Sequence, residues 1–595
     1  MHGQGGRASR YGPFAALAIA IISVALVYSN ALDSPFLFDD EIYIVNNEAL
    51  RSLANFWPPT GSRYIGNLSF ALDYRLHLLD PRGYHLVNIV IHIINSFLVY
   101  ALVRLLTKTP ALNALPRASA EAIAILTSLV FAVHPVQTES VTYITQRYAS
   151  LAALFYLASV VFYLKARLGA GAGIRKLSYV LSIILAVFAM RTKEISFTLP
   201  FAVMLFEATL FGRGDAMARI KMMVPFAVTL LIIPLYFALH KAEAGMGISD
   251  SIVTLQKMEL EGLSRYEYAI TQFRVIVKYL RLLALPYGQN LLYEMKTYKS
   301  FFAPGVVSSF VFLLSVFIFS VLTLVRSLKN AGAYGILFSI GVLWFFLTLS
   351  IESSIIPIRD VIFEHRLYLP SVGAFIAFFS AFFYFLGRKG EGRAAPLILV
   401  FLIALPLGVI AHRRNEVWKD AFSLWSDVVE KSPESPLGRL NLGAAYYKKG
   451  LVKEAEGEFM ESIRLDPSFN SARMNLAALY QETGRLDEAI AGFREALRRD
   501  PLNARALYNA GLTYGAKGLP GEAVIYYLAA LKADPGYAEV YYALGDAYMG
   551  LDRPMDAVES YSLFIKKAPD QYRSYKDSAA IKINSVKRKG PASLP

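Results

Sequence analysis

The amino-acid sequence predicts an all-helical protein in two parts: a polytopic membrane bundle of about eleven spans over 1–412, then an α-solenoid over 434–569. Three observations carry this. Of 595 residues 55% are hydrophobic and the mean hydropathy is +0.41, too apolar for a water-soluble protein of this length. The long apolar runs stop at Ala411-His412-Arg413-Arg414-Asn415-Glu416. Beyond that point, residues recur with a period of 34. Residues 413–433 read as a linker helix and 570–595 as a basic final helix or tail.

Composition narrows the function classes. The net charge is +14, which in a membrane protein marks Lys and Arg holding cytoplasmic loops rather than a nucleic-acid partner. The absence of cysteine excludes disulfides, Cys-type zinc sites and thiol catalysis. Arg7 and Arg10 before an apolar stretch resemble a signal peptide, but no small-residue cleavage pattern follows, so a retained anchor is expected.

The expected spans are 13–30, 84–103, 119–134, 147–164, 177–190, 195–211, 222–239, 301–325, 333–351, 367–387 and 395–411. Those at 119–134 and 177–190 are the weakest, being short of the ~20 residues that cross a bilayer comfortably. Loop charge then sets their direction. Arg104, Lys108 and Arg117, Lys165 to Lys176, Arg213 to Lys221, Arg326 and Lys329, and Arg388 to Arg393 alternate with the basic N-terminus on one side, expected to be cytoplasmic. The loop with Asp39, the 135–146 loop, the 191–194 turn, 240–300, 352–366 and the repeats then share the outer face. Tyr266–Leu285 is apolar but carries Arg274, Lys278 and Arg281 on one helical face. A span there would break the alternation. An amphipathic helix on the outer surface fits, its basic stripe meeting lipid headgroups or a bound phosphate.

Within the second span, His85, Asn88, His92 and Asn95 are spaced three, four and three apart and share one face. Such a stripe faces the bundle interior and hydrogen-bonds other helices. No carboxylate stands at a matching spacing, so no metal is predicted.

The C-terminal columns are regular. Pro433, Pro467, Pro501, Pro535 and Pro569 keep the 34-residue period, as do Tyr446, Tyr480, Tyr514 and Tyr548, and Ala455, Ala489, Ala523 and Ala557. Phe459, Phe493, Tyr527 and Tyr561 form a ring column, and Gly450, Gly484 and Gly518 a turn column. This is the tetratricopeptide signature. Small Ala lets paired helices close, rings fill the space between pairs, and Gly permits the turn. The Pro after Asp466, Asp500 and Asp534 is expected to start the next helix. Four pairs over 434–567 should stack into a superhelix whose groove takes a protein or peptide.

The suspicious polar residues cluster in four outer segments. Asp39, Asp40 and Glu41 stand between Phe36-Leu37-Phe38 and Ile42-Tyr43-Ile44-Val45. His134-Pro135-Val136-Gln137-Thr138-Glu139 opens a segment that ends at Arg147; Arg191-Thr192-Lys193-Glu194 is the third; Glu364-His365-Arg366-Leu367-Tyr368-Leu369-Pro370 lies in the fourth. A solvated helix end is the plainer reading of the triplet alone. Acids and bases recurring at one depth on one face suggest a site at the water–lipid boundary.

These segments, with Tyr84-His85-Leu86-Val87-Asn88 and His92 and the trailing repeats, resemble the transmembrane and tetratricopeptide-repeat O-mannosyltransferase family and its prokaryotic relatives, of the GT-C superfamily of glycosyltransferases. Arg63-Tyr64 departs from an expected Arg-Pro, and His365 between Glu364 and Arg366 is a variation associated with bacterial members. The resemblance implies a GT-C-type bundle and a polyprenyl-phosphate-linked sugar donor, with no cofactor. It implies transfer on the extracytoplasmic side, here the periplasmic side of a bacterial inner membrane. The acceptor would be a hydroxyl, a Ser or Thr of a protein recruited by the repeats. A lipid phosphate leaves without a general acid, so one carboxylate that takes the acceptor proton gives inversion. Asp39 or Asp40 is expected as the base or as the residue that positions the acceptor. Arg366 first, then Arg147 and Lys193, and last Arg274 or Lys278, are the expected phosphate ligands. Glu41, Glu139, Glu194, Glu364, His365, His85 and His92 would support them. Structural readings compete: Arg366 with Glu364 as an interfacial ion pair, and Lys193-Glu194 as a turn. Among whole-protein alternatives are a lipid or glycan acceptor, a membrane-anchored repeat scaffold, and a transporter. Eleven spans exceed what an anchor needs, and no internal repeat of the transporter kind runs across them.

Overall fold

The computed structural model describes residues 5–211, 216–236, 264–354, 357–358, 360–387 and 398–589. All regular structure among them is helical. The chain divides into two compact units, Met1–Leu424 and Trp425–Pro595. The division falls inside the expected linker helix. That segment is instead two helical pieces, the end of Leu405–Asn415 and then Ala421–Lys431, parted by the turn Glu416–Trp418.

The first unit is a membrane bundle. Five of its helices are long and apolar enough to cross a membrane: Pro81–Leu106, Ile144–Leu168, Ala172–Met190, Met217–Tyr236 and Pro304–Lys329. A sixth is present if Arg117–Val133 and Pro135–Thr142, bent by 54°, are one broken span. Phe14–Val27, Ala333–Leu349 and Pro370–Leu386 are apolar but shorter. Eleven spans were expected, and local chemistry accounts for much of the difference. The expected span 195–211 begins as the tight turn Glu194–Thr198 and leaves only Leu199–Leu210 as α-helix. The expected span 395–411, of which 395–397 lie outside the described residues, is interrupted by the π-helical turn Val400–Ala404 ahead of Pro406. Residues 237–239 of the expected 222–239 span and the basic residues Arg213, Arg388, Lys389 and Arg393 also lie outside the described residues.

The break at His134-Pro135 has a local cause. Pro135 has no backbone N–H, and His134 Nδ1 accepts instead from Val136 N at 3.2 Å, capping the short piece that follows. The stripe on Pro81–Leu106 faces inward and is buried. His85 donates to Ser34 O (2.9 Å), Asn88 to Val141 O (3.1 Å), and Asn95 to Ser150 O (2.8 Å). His92 spans Tyr368 Oη (2.7 Å) and Ala132 O (3.0 Å). Arg265–Ala284 is amphipathic, opened by a capping box in which Ser264 and Glu267 satisfy each other's backbone N–H groups.

The second unit stacks four helix pairs: Pro436–Lys448 with Val452–Leu465, Asn470–Glu482 with Leu486–Arg499, Ala504–Ala516 with Pro520–Ala533, and Ala538–Gly550 with Pro554–Lys567. Arg573–Lys589 packs on the last. The four column alanines are fully buried, and the four rings expose 3% or less. At Gly511 an added Cβ would lie 2.5 Å from the Tyr527 ring, so the close approach of the two helices requires glycine there. The turn glycines Gly450, Gly484 and Gly518 have φ of +76°, +77° and +78°, and Asp552 holds the same place in the fourth pair at φ +55°. One expectation is corrected. Pro467, Pro501 and Pro535 lie in the turns between pairs, and the next helices start three residues later. The preceding Asp explains this: Asp466 Oδ1 accepts from Ser468 N, and Asp534 Oδ1 from Gly536 N, both at 2.8 Å, closing a turn rather than opening a helix.

Candidate active site

The two adjacent aspartates of the first loop have opposite surroundings. Asp40 is 2% exposed. Its Oδ2 accepts from Leu37 N at 3.1 Å, and its Oδ1 accepts from Thr145 N at 2.7 Å and from Thr145 Oγ1. It therefore pins the loop to the 135–146 segment. Burial pushes its carboxyl up to about 7, against the pull of those hydrogen bonds. Asp39 is half-buried, and its backbone N–H donates to Tyr143 Oη at 3.1 Å. Its carboxyl is raised by burial, opposed by Tyr143 and reinforced by the charge of Asp360. Phe38, immediately before, has φ +55°, a strained conformation for a bulky residue that turns the next carboxyl out of the core that takes Asp40. Glu41 is exposed at the start of the π-helical turn Glu41–Val45, whose Ile44 is buried.

A second layer ties the outer segments together. Glu139 accepts from Glu364 N at 2.9 Å and from His365 Nδ1 at 2.6 Å. Glu364 in turn accepts from Asn290 N (3.0 Å), Tyr293 Oη (2.5 Å) and Gln289 Nε2. Burial, with the charges of Lys193, Arg366 and Arg63, holds His365 well below its usual pKa. The imidazole is thus neutral, and its Nδ1 shares a hydrogen bond with Glu139, whose carboxyl is raised well above its usual value by burial and by the charge of Glu364.

Three cations surround that histidine. Lys193 Nζ is 2.7 Å from Glu352 Oε1, with both side chains 10% exposed or less. Arg63 grips Glu194 through two parallel hydrogen bonds of 3.1 Å. Burial would raise the Glu194 carboxyl, but the Arg63 charge and hydrogen bonds outweigh it and hold it below the usual range. Arg366 is 2% exposed and donates to Asp360 O at 2.7 Å and Val361 O at 3.1 Å. Arg366 therefore meets the backbone of the residue whose charge reaches Asp39. Asp39, Asp360, Arg366, Glu352, Lys193, Arg63 and Glu194 form one chain of electrostatic neighbours.

Several expected site residues are placed elsewhere. Arg147 is fully buried in a cage of its own: Nη1 lies 2.5 Å from Asp73 Oδ2, Nε donates to Asn88 Oδ1 (2.6 Å), Nη2 to Tyr84 O (2.9 Å), and the Phe70 ring lies against it at 4.5 Å. With its donors directed at the protein and no exposed surface, it is corrected from phosphate ligand to structural anchor. Asp40 is corrected likewise from base to loop anchor, because both oxygens are occupied. His85 and His92 hold the bundle together. Arg274 meets Ser309 Oγ at 3.4 Å, and Lys278 lies over the Tyr293 ring at 4.0 Å, its pKa lowered by burial and by Arg281. Lys193 and Arg366 take partners other than those expected, Glu352 and backbone carbonyls. Among the described residues no three His, Cys, Asp or Glu side chains group closely enough to hold a metal ion.

Sequence reasoning missed Arg63, Glu352 and Asp360. Glu352 had a usable signal: it is the first acid on the outer side of the apolar run 333–351, at the depth of the other four segments. Arg63 was visible only as half of an altered dipeptide.

Family models for the tetratricopeptide repeat match residues 474–538 and 526–559. A protein O-mannosyl-transferase of Caenorhabditis elegans is 25% identical over 468 residues, 75% of this chain and 62% of that protein. Protein O-mannosyl-transferase TMTC4 of Mus musculus is 32% identical over 238 residues, 35% of this chain and 31% of that protein. Protein O-mannosyl-transferase Tmtc3 of Drosophila melanogaster is 32% identical over 169 residues, 24% of this chain and 18% of that protein. The chain thus spans less than two thirds of each of these relatives. Among solved structures, a crystal structure of MamA is 23% identical, covering 26% of this chain and 89% of that one, with a TM-score of 0.24. The resemblance read from the sequence and these comparisons point to one group of proteins: the chain is a membrane protein with tetratricopeptide repeats, similar in sequence to protein O-mannosyl-transferases.

Proposed function

We propose that the chain is a GT-C-type glycosyltransferase that moves a sugar from a polyprenyl-phosphate donor to a Ser or Thr hydroxyl of a protein acceptor, with inversion, on the extracytoplasmic face. The observation that carries it is the division of labour between neighbouring aspartates. Asp40 is buried and fully hydrogen-bonded, whereas Asp39 is turned out of the core beside the Asp360–Arg366 end of a cationic cluster. The names of the similar proteins support a protein acceptor and transfer of mannose.

In this reading Asp39 takes the proton from the acceptor hydroxyl as the oxygen attacks the anomeric carbon and the lipid phosphate departs from the opposite face. The raised Asp39 carboxyl makes it a better base than a free surface aspartate. Arg63, the exposed member of the three cations, would meet the phosphate, and the buried Lys193 and Arg366 would add their charge without touching it. Each is held by an acid or a carbonyl, so its geometry is set before the donor arrives. Glu139 and Glu364 lock the loops carrying Arg366. The repeats bring the protein acceptor to the membrane, and the whole site lies at the periplasmic face of a bacterial inner membrane.

The test is transfer from polyprenyl-phosphate mannose to an extracytoplasmic protein fraction by the purified chain in detergent, with Asp39→Asn and Asp40→Asn assayed separately. Asp39→Asn is expected to cut turnover by roughly 10²–10⁴-fold at unchanged thermal stability. Asp40→Asn should lower activity and stability together. Full turnover by Asp39→Asn would remove it as the base.

A further inference from the structure

The membrane unit has a second binding place outside this cluster. A cavity of about 620 Å³ opens between the first helix, Gly5–Val27, the helix Arg117–Val133 and the last apolar segment before the division. Its walls are apolar, built by Leu26, Leu129, Val133, Val400, Ala404 and Gly408. Large apolar side chains beside it, Phe401 at 59% and Leu402 at 70% exposure, face outward, so the cavity sits on the lipid-facing side of the bundle.

Its mouth is polar and rigid. His412 Nδ1 donates to Val27 O at 3.0 Å, Asn30 Nδ2 to His412 O at 2.9 Å, and Asn415 Nδ2 to Val27 O at 2.9 Å. Arg413 and Glu416 line this rim, both exposed, and neither side chain has a hydrogen-bond or ion-pair partner among the described residues. A cation and an anion thus stand three residues apart, each free, at one end of an apolar trough.

The dimensions match one leaflet. From Val400 to Arg413 is roughly 20 Å at about 1.5 Å per helical residue, half of a ~30 Å hydrocarbon core plus part of a headgroup layer. The deep end coincides with the π-helical turn Val400–Ala404, a local widening of the kind that recurs at binding sites. We infer that this trough holds one glycerophospholipid whose headgroup carries both a phosphate and a primary ammonium, the phosphate on Arg413 and the ammonium on Glu416. A purely anionic lipid, or a polyprenyl phosphate, would satisfy Arg413 and be repelled by Glu416. The seat is therefore distinct from the donor site, and it stands whether or not the transferase reading does.

Native mass spectrometry of the full chain, delipidated in detergent and titrated with phosphatidylethanolamine or phosphatidylglycerol, tests this. The wild type should favour phosphatidylethanolamine by roughly three- to fivefold, the size of one solvent-screened ion pair. Glu416→Gln should erase that preference. Gly408→Leu, which fills the trough, should lose both lipids, with its fold checked by circular dichroism. Should Gly408→Leu not fold, the Glu416→Gln comparison still decides. Equal binding of the two lipids by the wild type, a preference kept by Glu416→Gln, or lipid retained by folded Gly408→Leu would each overturn the assignment.

Discussion

The two units solve the same packing problem with different instructions. In the repeats, the ties between helices are short in sequence: Ser462 to Pro436 and Asn470 to Ala496 are each 26 residues apart, and Arg485 to Glu456 is 29. In the membrane bundle the ties are long and polar: Asn415 to Val27 spans 388 residues, His92 to Tyr368 spans 276, and Glu139 to His365 spans 226. Repeats are built from nearest-neighbour contacts and tolerate local change locally. A bundle held by buried polar pairs concentrates its stability in a few of them, because each unpaired partner left in the interior is costly.

The largest effect expected from this contrast is at Arg147. Replacing it by Met keeps the bulk and removes the charge, leaving Asp73 buried without its cation. The loss should be about 3–5 kcal/mol, enough to abolish folding in mild detergent. The counterpart in the repeats, Arg485→Met, breaks pairs with Glu456 and Glu488 that are open to solvent, and should leave thermal unfolding unchanged. Matched unfolding curves in one detergent check both. If Arg147→Met unfolds like wild type, water reaches Asp73 and the contrast between the units fails.

That contrast also explains what the sequence made legible. The period of 34 identified the repeats, down to the buried alanines and the rings, since each column is set by its own neighbours. Asp552 escaped because it breaks the glycine column while adopting the same positive φ, which Asp tolerates better than most residues. In the bundle, the inward stripe on the second span was readable from its spacing. The partners were not: nothing local to Arg147 points to Asp73, 74 positions earlier, so a buried anchor looked like a phosphate ligand. Asp39 and Asp40 could be named as a pair but not told apart, because their difference lies in Thr145 and Tyr143, a hundred residues away. Among the described residues the long apolar helices number five or six rather than eleven for a different reason. Hydropathy averages over a window and does not register a tight turn such as Glu194–Thr198 or a π-turn such as Val400–Ala404.

A smaller effect should follow pH. Burial raises the Asp40 carboxyl in the folded state to about 7, above the ordinary value of about 3.9 in the unfolded chain. For a raised acid the folded state binds the proton more tightly. The contribution is fully present below pH ~4 and lost as pH rises toward and through ~7. The span corresponds to about 4 kcal/mol at most. Thermal midpoints of wild type and Asp40→Asn between pH 4 and pH 8 should therefore converge differently. Wild type falls across this range by more than the variant does, because the variant has nothing to titrate at that position. Parallel curves would mean that Asp40 is better solvated than its 2% exposure implies. No such term is expected from the repeats, whose carboxylates sit mainly at the surface.

The smallest effect tests whether the repeat unit is as local as its pattern implies. Gly484 and Asp552 hold one structural position, at φ +77° and +55°, and in each case the residue that follows closes a hydrogen bond back to a tyrosine carbonyl, Arg485 N to Tyr480 O at 2.8 Å and Arg553 N to Tyr548 O at 2.9 Å. Gly484→Ala puts a Cβ on left-handed backbone and should cost about 1 kcal/mol. Asp552→Gly relieves the same strain and should gain a few tenths of a kcal/mol, about 0.5, after the greater freedom of the unfolded glycine is subtracted. Hydrogen exchange reads both effects residue by residue. Protection should change in the mutated pair and its immediate neighbours and stay constant elsewhere in 434–569. A change that spread across all four pairs would show that the solenoid unfolds as one block. Neighbour-coupled repeats and a globally tied bundle would then differ in sequence pattern alone, not in energetics.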